Sequence, residues 1–288
     1  MPLIKFLKKE TNDILLIHLI TSLPLLLSIF LNKKKKIILR ISGLPKLNFA
    51  RKIFWNIALK KIELVLCPTE DTRELLKNVF PALKEKFLLL RDPILDIKKI
   101  QKFRKKNKNT DKYFISIGRL TKQKNYELLL NLISYCIKKN KHYNFIIVGE
   151  GEKFNELKKI IDKLGIDKHI KILPYTNNIF PLLENASALI STSLWEDPGF
   201  TLIEAGYVGT VVISSSCPNG PLEIINNNKN GYIFKNNNIE SLIEVFEKFT
   251  NDSLSVINLK KFNLKKKVNE FTIFQHYKNF SRILNNEK

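Results

Sequence analysis

Two carboxylates, Glu196 and Glu204, stand with seven residues between them in the stretch Trp195-Glu196-Asp197-Pro198-Gly199-Phe200-Thr201-Leu202-Ile203-Glu204-Ala205-Gly206. The run before it, Ala188-Leu189-Ile190-Ser191, is apolar and strand-like. Pro198-Gly199 breaks the chain, and helix-forming residues follow. A strand, a tight loop and a helix start leave backbone N–H groups unpaired, and the helix dipole favours an anion there. Glu196 falls on the loop and Glu204 about one turn into the helix, so both can face one cleft. Such a turn suits a nucleotide carrying a polar, hydroxyl-rich group. Each carboxylate also has an ordinary reading by itself: Glu204 as a partner of its own helix dipole, Glu196 as a surface loop residue. Trp195 reads as core rather than as a stacking surface.

A second set follows the strand Tyr113–Ile117, in the loop Gly118-Arg119-Leu120-Thr121-Lys122-Gln123-Lys124-Asn125. Arg119 and Lys124 can converge on a diphosphate, Arg by its planar fork and Lys as a point charge. On so basic a chain, two solvated surface charges are the plainer reading. What lifts the four residues is their placement after two strands of one alternating segment.

That segment runs from 113 to about 250. Strands are expected at 113–117, 144–148, 170–173, 188–192, 211–213 and 232–234. Helices are expected at 125–139, 153–164, 180–184, 201–208 and 239–249. The alternation predicts a doubly wound α/β domain with ligands at the carboxyl ends of its strands. Gly118-Arg119, Gly149-Glu150-Gly151, Glu196 and Ser214–Glu223 all fall there. Upstream, strands at 14–20, 37–41, 62–67 and 87–90 and a helix at 48–61 continue the pattern. A helix after Pro68 can be capped by Thr69 or Thr72. Residues 96–112 are Lys-rich, Asn-bearing and weakly apolar and read as the interdomain linker, with room for one helical turn. Residues 264–286 read as one closing helix.

The chain has 288 residues, 44% hydrophobic and 26% charged, as in a globular protein. Its net charge of +22 is uneven: residues 1–110 carry 25 Lys+Arg against 9 Asp+Glu. A basic half favours anionic partners, and a Lys/Asn/Ile-rich coding bias is the bland alternative. The most apolar run, 14–31, is interrupted by His18, Thr21, Ser22 and Pro24. It reads as a buried strand, a turn and a buried helix at 23–31 rather than a membrane span, and no signal-peptide cleavage site follows it. Three distant cysteines, Cys67, Cys136 and Cys217, match no zinc spacing or disulfide framework, so a reducing cytoplasm is expected, with Cys136 in the core. No nucleic-acid motif or aromatic platform accompanies the basic residues, so no nucleic-acid partner is expected.

Several motifs together resemble the family 4 retaining glycosyltransferases. Gly118-Arg119-Leu120-x-x-x-Lys124-Asn125 is similar to their G-R-L-x-x-x-K-G/N element, and Glu196 to Glu204 to their E-x7-E motif. Val148-Gly149-Glu150-Gly151 matches their V-G-x-G turn. Ser216–Ile224 with Asn230-Gly231-Tyr232 is similar to their G-x-x-E-I…G loop. The resemblance covers residues 113–250 closely. It implies an α/β fold of GT-B type: two Rossmann-like doubly wound domains, the C-terminal one holding a nucleoside-diphosphate sugar. The domains then fall at 1–95 (acceptor side), 96–112 (linker), 113–262 (nucleotide sugar) and 263–288, whose residues 271–280 look like the family's final helix crossing back to the first domain.

By the same resemblance, Arg119 and Lys124 hold the diphosphate and Glu196 meets the donor sugar. Glu204 binds the ribose, and the N–H groups at Gly199, Phe200 and Thr201, with Gly118 and Gly149, line the donor site. The implied reaction transfers a hexose from a donor, expected to be UDP-linked, with retention and without a metal or other cofactor, and no Asp-x-Asp is present. The expected acceptor is a glycan or lipid-linked glycan of cell-surface polysaccharide or lipopolysaccharide synthesis. The expected location is the inner face of the cytoplasmic membrane, held peripherally by the anionic lipid surface. Against the family's pattern, the first domain reads as incomplete. About 80 residues of an opening strand and Gly-rich loop are not found before Met1. No N-domain His can be assigned, since His18 and Arg40-Ile41-Ser42-Gly43 do not match. A donor-binding fragment without an acceptor site is the rival expectation.

Overall fold

The computed structural model describes residues 14–18, 36–43, 45, 47–103 and 112–285. The expected helix at 23–31 lies outside these residues. The chain divides into two compact units, Met1–Arg91 and Asp92–Lys288.

In the first unit, β1 (Ile14–His18), β2 (Lys36–Arg40), β3 (Leu64–Cys67) and β4 (Phe87–Leu89) form a parallel sheet in sequence order. Ile37-Ile38-Leu39 of β2 and Val65-Leu66-Cys67 of β3 are apolar and buried without alternation, as in strands covered on both faces. β1 differs from the buried strand expected: it is an edge strand of the described sheet, and Ile14 is exposed. Helix α1 (Phe49–Lys61) starts at Asn48, whose side chain accepts the Arg51 N–H at 2.9 Å. Helix α2 (Glu70–Val79) is capped by Thr69, which accepts the Thr72 N–H at 3.2 Å, and Glu70 and Asp71 complement its dipole. Trp55 of α1 is fully buried and stacks on Phe80 at 6.4 Å between centroids, with Phe87 beyond it.

The second unit holds a six-stranded parallel sheet. Its strands are β5 (Tyr113–Ile117), β6 (Phe145–Val148), β7 (Ile170–Leu173), β8 (Ala186–Ser191), β9 (Val211–Ser215) and β10 (Tyr232–Phe234). The order is β10-β9-β8-β5-β6-β7. The first strand is central and the order reverses between β5 and β8. At such a switch point neighbouring loops leave in opposite directions and open a crevice. The helices are α3 (Ile97–Phe103), α4 (Tyr126–Lys138), α5 (Phe154–Leu164), α6 (Phe180–Asn185), α7 (Phe200–Val208), α8 (Pro221–Ile224), α9 (Ile239–Asn251), α10 (Leu254–Val268) and α11 (Ile273–Leu284). Apolar layers lie on both faces of the sheet, one under α4, α5 and α9, the other under α6, α7 and α10. Gly165 and Gly209 end α5 and α7 in the left-handed conformation that glycine adopts without a steric cost.

Two expectations change. Residues 96–112 are not merely a linker, because α3 occupies part of them and buries Ile100 in the second unit's core. The preceding Leu95 is fully buried and bridges Thr272. The single closing helix is two helices, α10 and α11, separated by a 3-10 turn at Asn269–Phe271. Gly206 makes room for α10: a Cβ there would lie 2.7 Å from Leu264 Cγ.

Replacing Trp55 by Ala empties the centre of the first unit's core. Its stability to denaturant should fall by about 3–5 kcal/mol, read by urea titration. A loss under about 1 kcal/mol would show that the stacked Trp55–Phe80 pair is not central to that core.

Candidate active site

The loops after β5 and β6 meet backbone to backbone. Gly118 N–H donates to Val148 O at 3.0 Å and Leu120 N–H to Glu150 O at 2.8 Å. A Cβ on Gly149 would lie 2.0 Å from Gly118 O, inside any permitted contact. Gly149 also has a φ of 153°, so only glycine lets the two chains run this close. Tyr126, buried at the start of α4, donates its hydroxyl to Gly118 O at 2.9 Å and fixes that loop from beneath.

Across the switch point, Lys124 Nζ lies 2.6 Å from Glu196 Oε1, and Ser193 Oγ donates to the same oxygen at 2.6 Å. Glu196 is 5% exposed and the Lys124 side chain 17%, so the pair is buried. Removing one member of such a pair leaves an unpaired buried charge. Main-chain bonds hold the two loops together. Leu194 N–H donates to Gln123 O at 2.8 Å, Thr192 Oγ1 to Lys124 O at 2.9 Å, and Gln123 Nε2 to Trp195 O at 2.8 Å. Trp195 itself points outward and is 46% exposed, which overturns its assignment to the core. It sits past the end of β8, where strand alternation no longer decides which side is buried.

The loop after β9 closes on Glu196 from the other side. Glu196 N–H donates to Pro218 O at 3.2 Å. A Cβ on Gly220, whose φ is 129°, would meet Pro198 O at 2.1 Å. Asn219 Nδ2 donates to Asp197 Oδ1 at 2.8 Å. Burial nevertheless raises the Asp197 carboxyl to about 6, with Asp92 and Glu196 adding repulsion. Gly199 opens α7 at a φ of 99°, and a Cβ on it would be 3.5 Å from Glu196 Cγ.

Beside this pair lies a cavity of about 530 Å³, lined by Gly118, Arg119, Gly149, Tyr175, Thr201 and Glu204 among others. Lys124 runs along its edge, with Cε 2.8 Å from where a Gly118 Cβ would stand. Arg119 is exposed at the cavity and has no ion-pair partner among the described residues. Glu204 faces in from the second turn of α7, and burial alone raises its carboxyl to about 7. On the far wall Glu150 Oε1 accepts the Tyr175 N–H at 3.2 Å, and Tyr175 Oη donates to Asn177 at 2.7 Å.

The structure therefore gathers Gly118, Arg119, Gly149, Thr201 and Glu204 around one cavity, with Lys124, Glu196 and Gly199 contiguous with it. Phe200 is half exposed and is not among the lining residues. Ser193, Tyr126 and the Tyr175–Asn177 pair were not anticipated, and Asn219 stands in the loop the sequence singled out, though with no role given to it. The run Ser191-Thr192-Ser193 at the end of an apolar strand was the one available signal for Ser193. Among the described residues no group of three or more His, Cys, Asp or Glu is placed to hold a metal ion.

A crevice at the switch point is where doubly wound α/β domains place their ligands, and here cations and carboxylates stand on its loops. The sequence profile of the glycosyl transferases group 1 family matches residues 97–269, more than half of the chain, and the chain belongs to that family. It is 30% identical over 184 residues to an uncharacterised glycosyltransferase of Methanocaldococcus jannaschii, covering 61% of this chain and 44% of that protein. It is 31% identical over 164 residues to the UDP-Gal:alpha-D-GlcNAc-diphosphoundecaprenol alpha-1,3-galactosyltransferase of Escherichia coli, covering 56% and 42%. The matches thus span less than half of these curated relatives' length. The fold is GT-B, as in the Anabaena protein HepE solved in complex with UDP, to which it is similar with a TM-score of 0.79 at 16% identity, over 99% of this chain and 82% of that one.

Glu204 gives the site a pH signature. Its carboxyl is raised from 4.5 to about 7 in the folded chain, so the folded state keeps a proton that the unfolded chain releases. Its contribution to stability is full below pH 4.5 and is lost as pH rises through about 7. Glu204→Gln should flatten the fall in melting temperature across that window, read by scanning calorimetry. Parallel curves for both proteins would show that Glu204 is not held protonated.

Proposed function

We propose that the chain is the donor-binding part, and the catalytic centre, of a retaining hexosyltransferase. It takes a UDP-linked hexose and passes it to a glycan or lipid-linked acceptor in cell-surface polysaccharide or lipopolysaccharide synthesis. The observation that carries this reading is the buried Lys124–Glu196 pair set against a cavity holding Arg119 and Glu204. The family membership and the E. coli relative's lipid-linked substrate support it.

On this reading the nucleoside diphosphate enters the cavity beside Gly118 and Gly149, whose missing side chains let phosphate approach the backbone. Arg119 and Lys124 neutralise the diphosphate and stabilise the charge that grows on it as the glycosidic bond breaks. They supply the positive charge for which other transferases use a metal, so the reaction needs no metal and no cofactor. The N–H groups at Gly199–Thr201 add the partial positive charge of the α7 start. Glu204 accepts hydrogen bonds from the ribose hydroxyls. Glu196, held by Ser193 and Lys124, meets the hexose hydroxyls on the reacting face. Diphosphate binding draws Lys124 away from Glu196, which frees the carboxylate as the donor arrives. A front-face route, in which the acceptor hydroxyl attacks from the side the diphosphate leaves, gives retention. The working location is the cytoplasmic face of the membrane, with the chain held there peripherally by anionic lipid.

Three substitutions test the roles. Glu196→Gln keeps the volume and the hydrogen bonds of the loop. It should abolish sugar transfer while UDP affinity stays within about threefold of wild type, measured by product assay and titration calorimetry. Wild-type turnover by this variant would end the role of Glu196. Arg119→Ala, at an exposed position that leaves the fold intact, should weaken UDP binding by roughly ten- to a hundredfold, the worth of one charge-assisted contact. Unchanged affinity would refute the diphosphate assignment. Ribose hydroxyls bond best to an ionised Glu204, so UDP affinity should climb between about pH 6 and about pH 8 by more in wild type than in Glu204→Gln. Equal slopes would place the ribose elsewhere.

A further inference from the structure

Helix α1 of the first unit turns an apolar stripe outward. Phe49 is 80% exposed, Ile53 51% and Ile57 52%. Their four-residue spacing puts them within an arc of roughly 80° on the helix. The opposite side, Trp55, Ala58 and Leu59, is the one packed into the core. Lys60 stands within the same arc, Lys52 and Lys61 lie on either side of it, all three are exposed, and α1 contains no carboxylate. A surface helix ordinarily shows charge outward and apolar residues inward. This one is apolar on both sides, with cations along the outer stripe, the pattern of a helix that lies in the membrane interface.

We propose that α1 is the element that seats the protein on an anionic bilayer. Phe49, Ile53 and Ile57 enter the boundary between headgroups and acyl chains, and Lys52, Lys60 and Lys61 meet lipid phosphates. The inference rests on the reading of a membrane-held acceptor, and it names the surface that delivers the chain to it. Charge selects lipid over a second copy of the chain. Two α1 faces packed on each other would set six lysines of one sign around a buried stripe, which repel, whereas an anionic headgroup layer complements them. The Asn48 cap and the packed inner side hold the helix formed before docking, so binding carries little ordering cost.

The full chain should sediment with vesicles in which about a third of the lipid is phosphatidylglycerol, and at least tenfold less with pure phosphatidylcholine. Phe49→Ser/Ile53→Ser/Ile57→Ser should lose this binding. Lys52→Gln/Lys60→Gln/Lys61→Gln should weaken it about a hundredfold. All substitutions are at exposed positions, and circular dichroism with UDP titration confirms that each variant folds. Wild-type vesicle binding by either variant overturns the proposal, as does equal binding to neutral vesicles. A dimer seen by light scattering that the serine variant converts to monomer also overturns it, because the stripe then seats a second copy. UDP binding reads the donor site separately. Vesicle binding lost with UDP binding intact touches the docking alone, and the converse touches the donor reading alone.

Discussion

Everything at the site depends on one buried ion pair between residues 72 positions apart. Lys124 and Glu196 stand on loops leaving adjacent strands in opposite directions, and no bond along the chain brings them together. The sheet does so by its strand order, and the bonds from Leu194, Thr192 and Gln123 then fix the separation. A charge pair taken out of water is stable only when its geometry is good and its remaining hydrogen bonds are met. Ser193 meets one of them. A cation waits for an anion, and a carboxylate waits for hydroxyls, each neutralised by the other until a ligand competes.

Much of the second unit was legible in the sequence because its local signals agree with its fold. Apolar runs are strands, amphipathic runs are helices, and Gly165 and Gly209 stop α5 and α7 at the expected places. The four motifs that resemble family 4 transferases gave Gly118, Arg119, Gly149, Thr201 and Glu204, which share one cavity. What was not legible is where local rules are broken. In α10 the apolar Leu254, Leu259 and Phe262 face outward, while Lys260 is buried, bonded to Asn228 O and lying 4.7 Å over the Tyr232 ring. That inverts the usual pattern, so only the end of α10 was read as helix, as part of the closing segment 264–286. Trp195 escaped for a related reason: its neighbours, not its own hydrophobicity, decide its exposure. Ser193, Tyr126 and Asn219 act through contacts with residues distant in sequence, and no spacing announces them.

The two units differ in how they use their surfaces. The second invests its irregular backbone, a run of glycines with positive φ, in bringing three loops within contact of one another. The first is a plain parallel sheet with a stacked aromatic core. Its unusual feature is a helix with apolar residues on both sides. The first unit carries 18 Lys+Arg against 7 Asp+Glu, a net of +11 that equals the net of the second unit, which is about twice as long.

The Asn219-Gly220 pair has a consequence for the protein's lifetime. Asparagine is among the thermolabile residues, and a following glycine leaves the backbone nitrogen most open to attack on the side-chain amide. Here the amide is the donor that restrains Asp197, and it is buried, at 1% exposure, with Gly220 wedged against Pro198. Loss of that amide as ammonia would set a new carboxylate against Asp197, turning an attraction into a repulsion at the residue next to Glu196, whose N–H bonds the Pro218 carbonyl. Tight packing of this corner is therefore also chemical protection, and a chain that has once loosened there would age faster than one that has stayed folded.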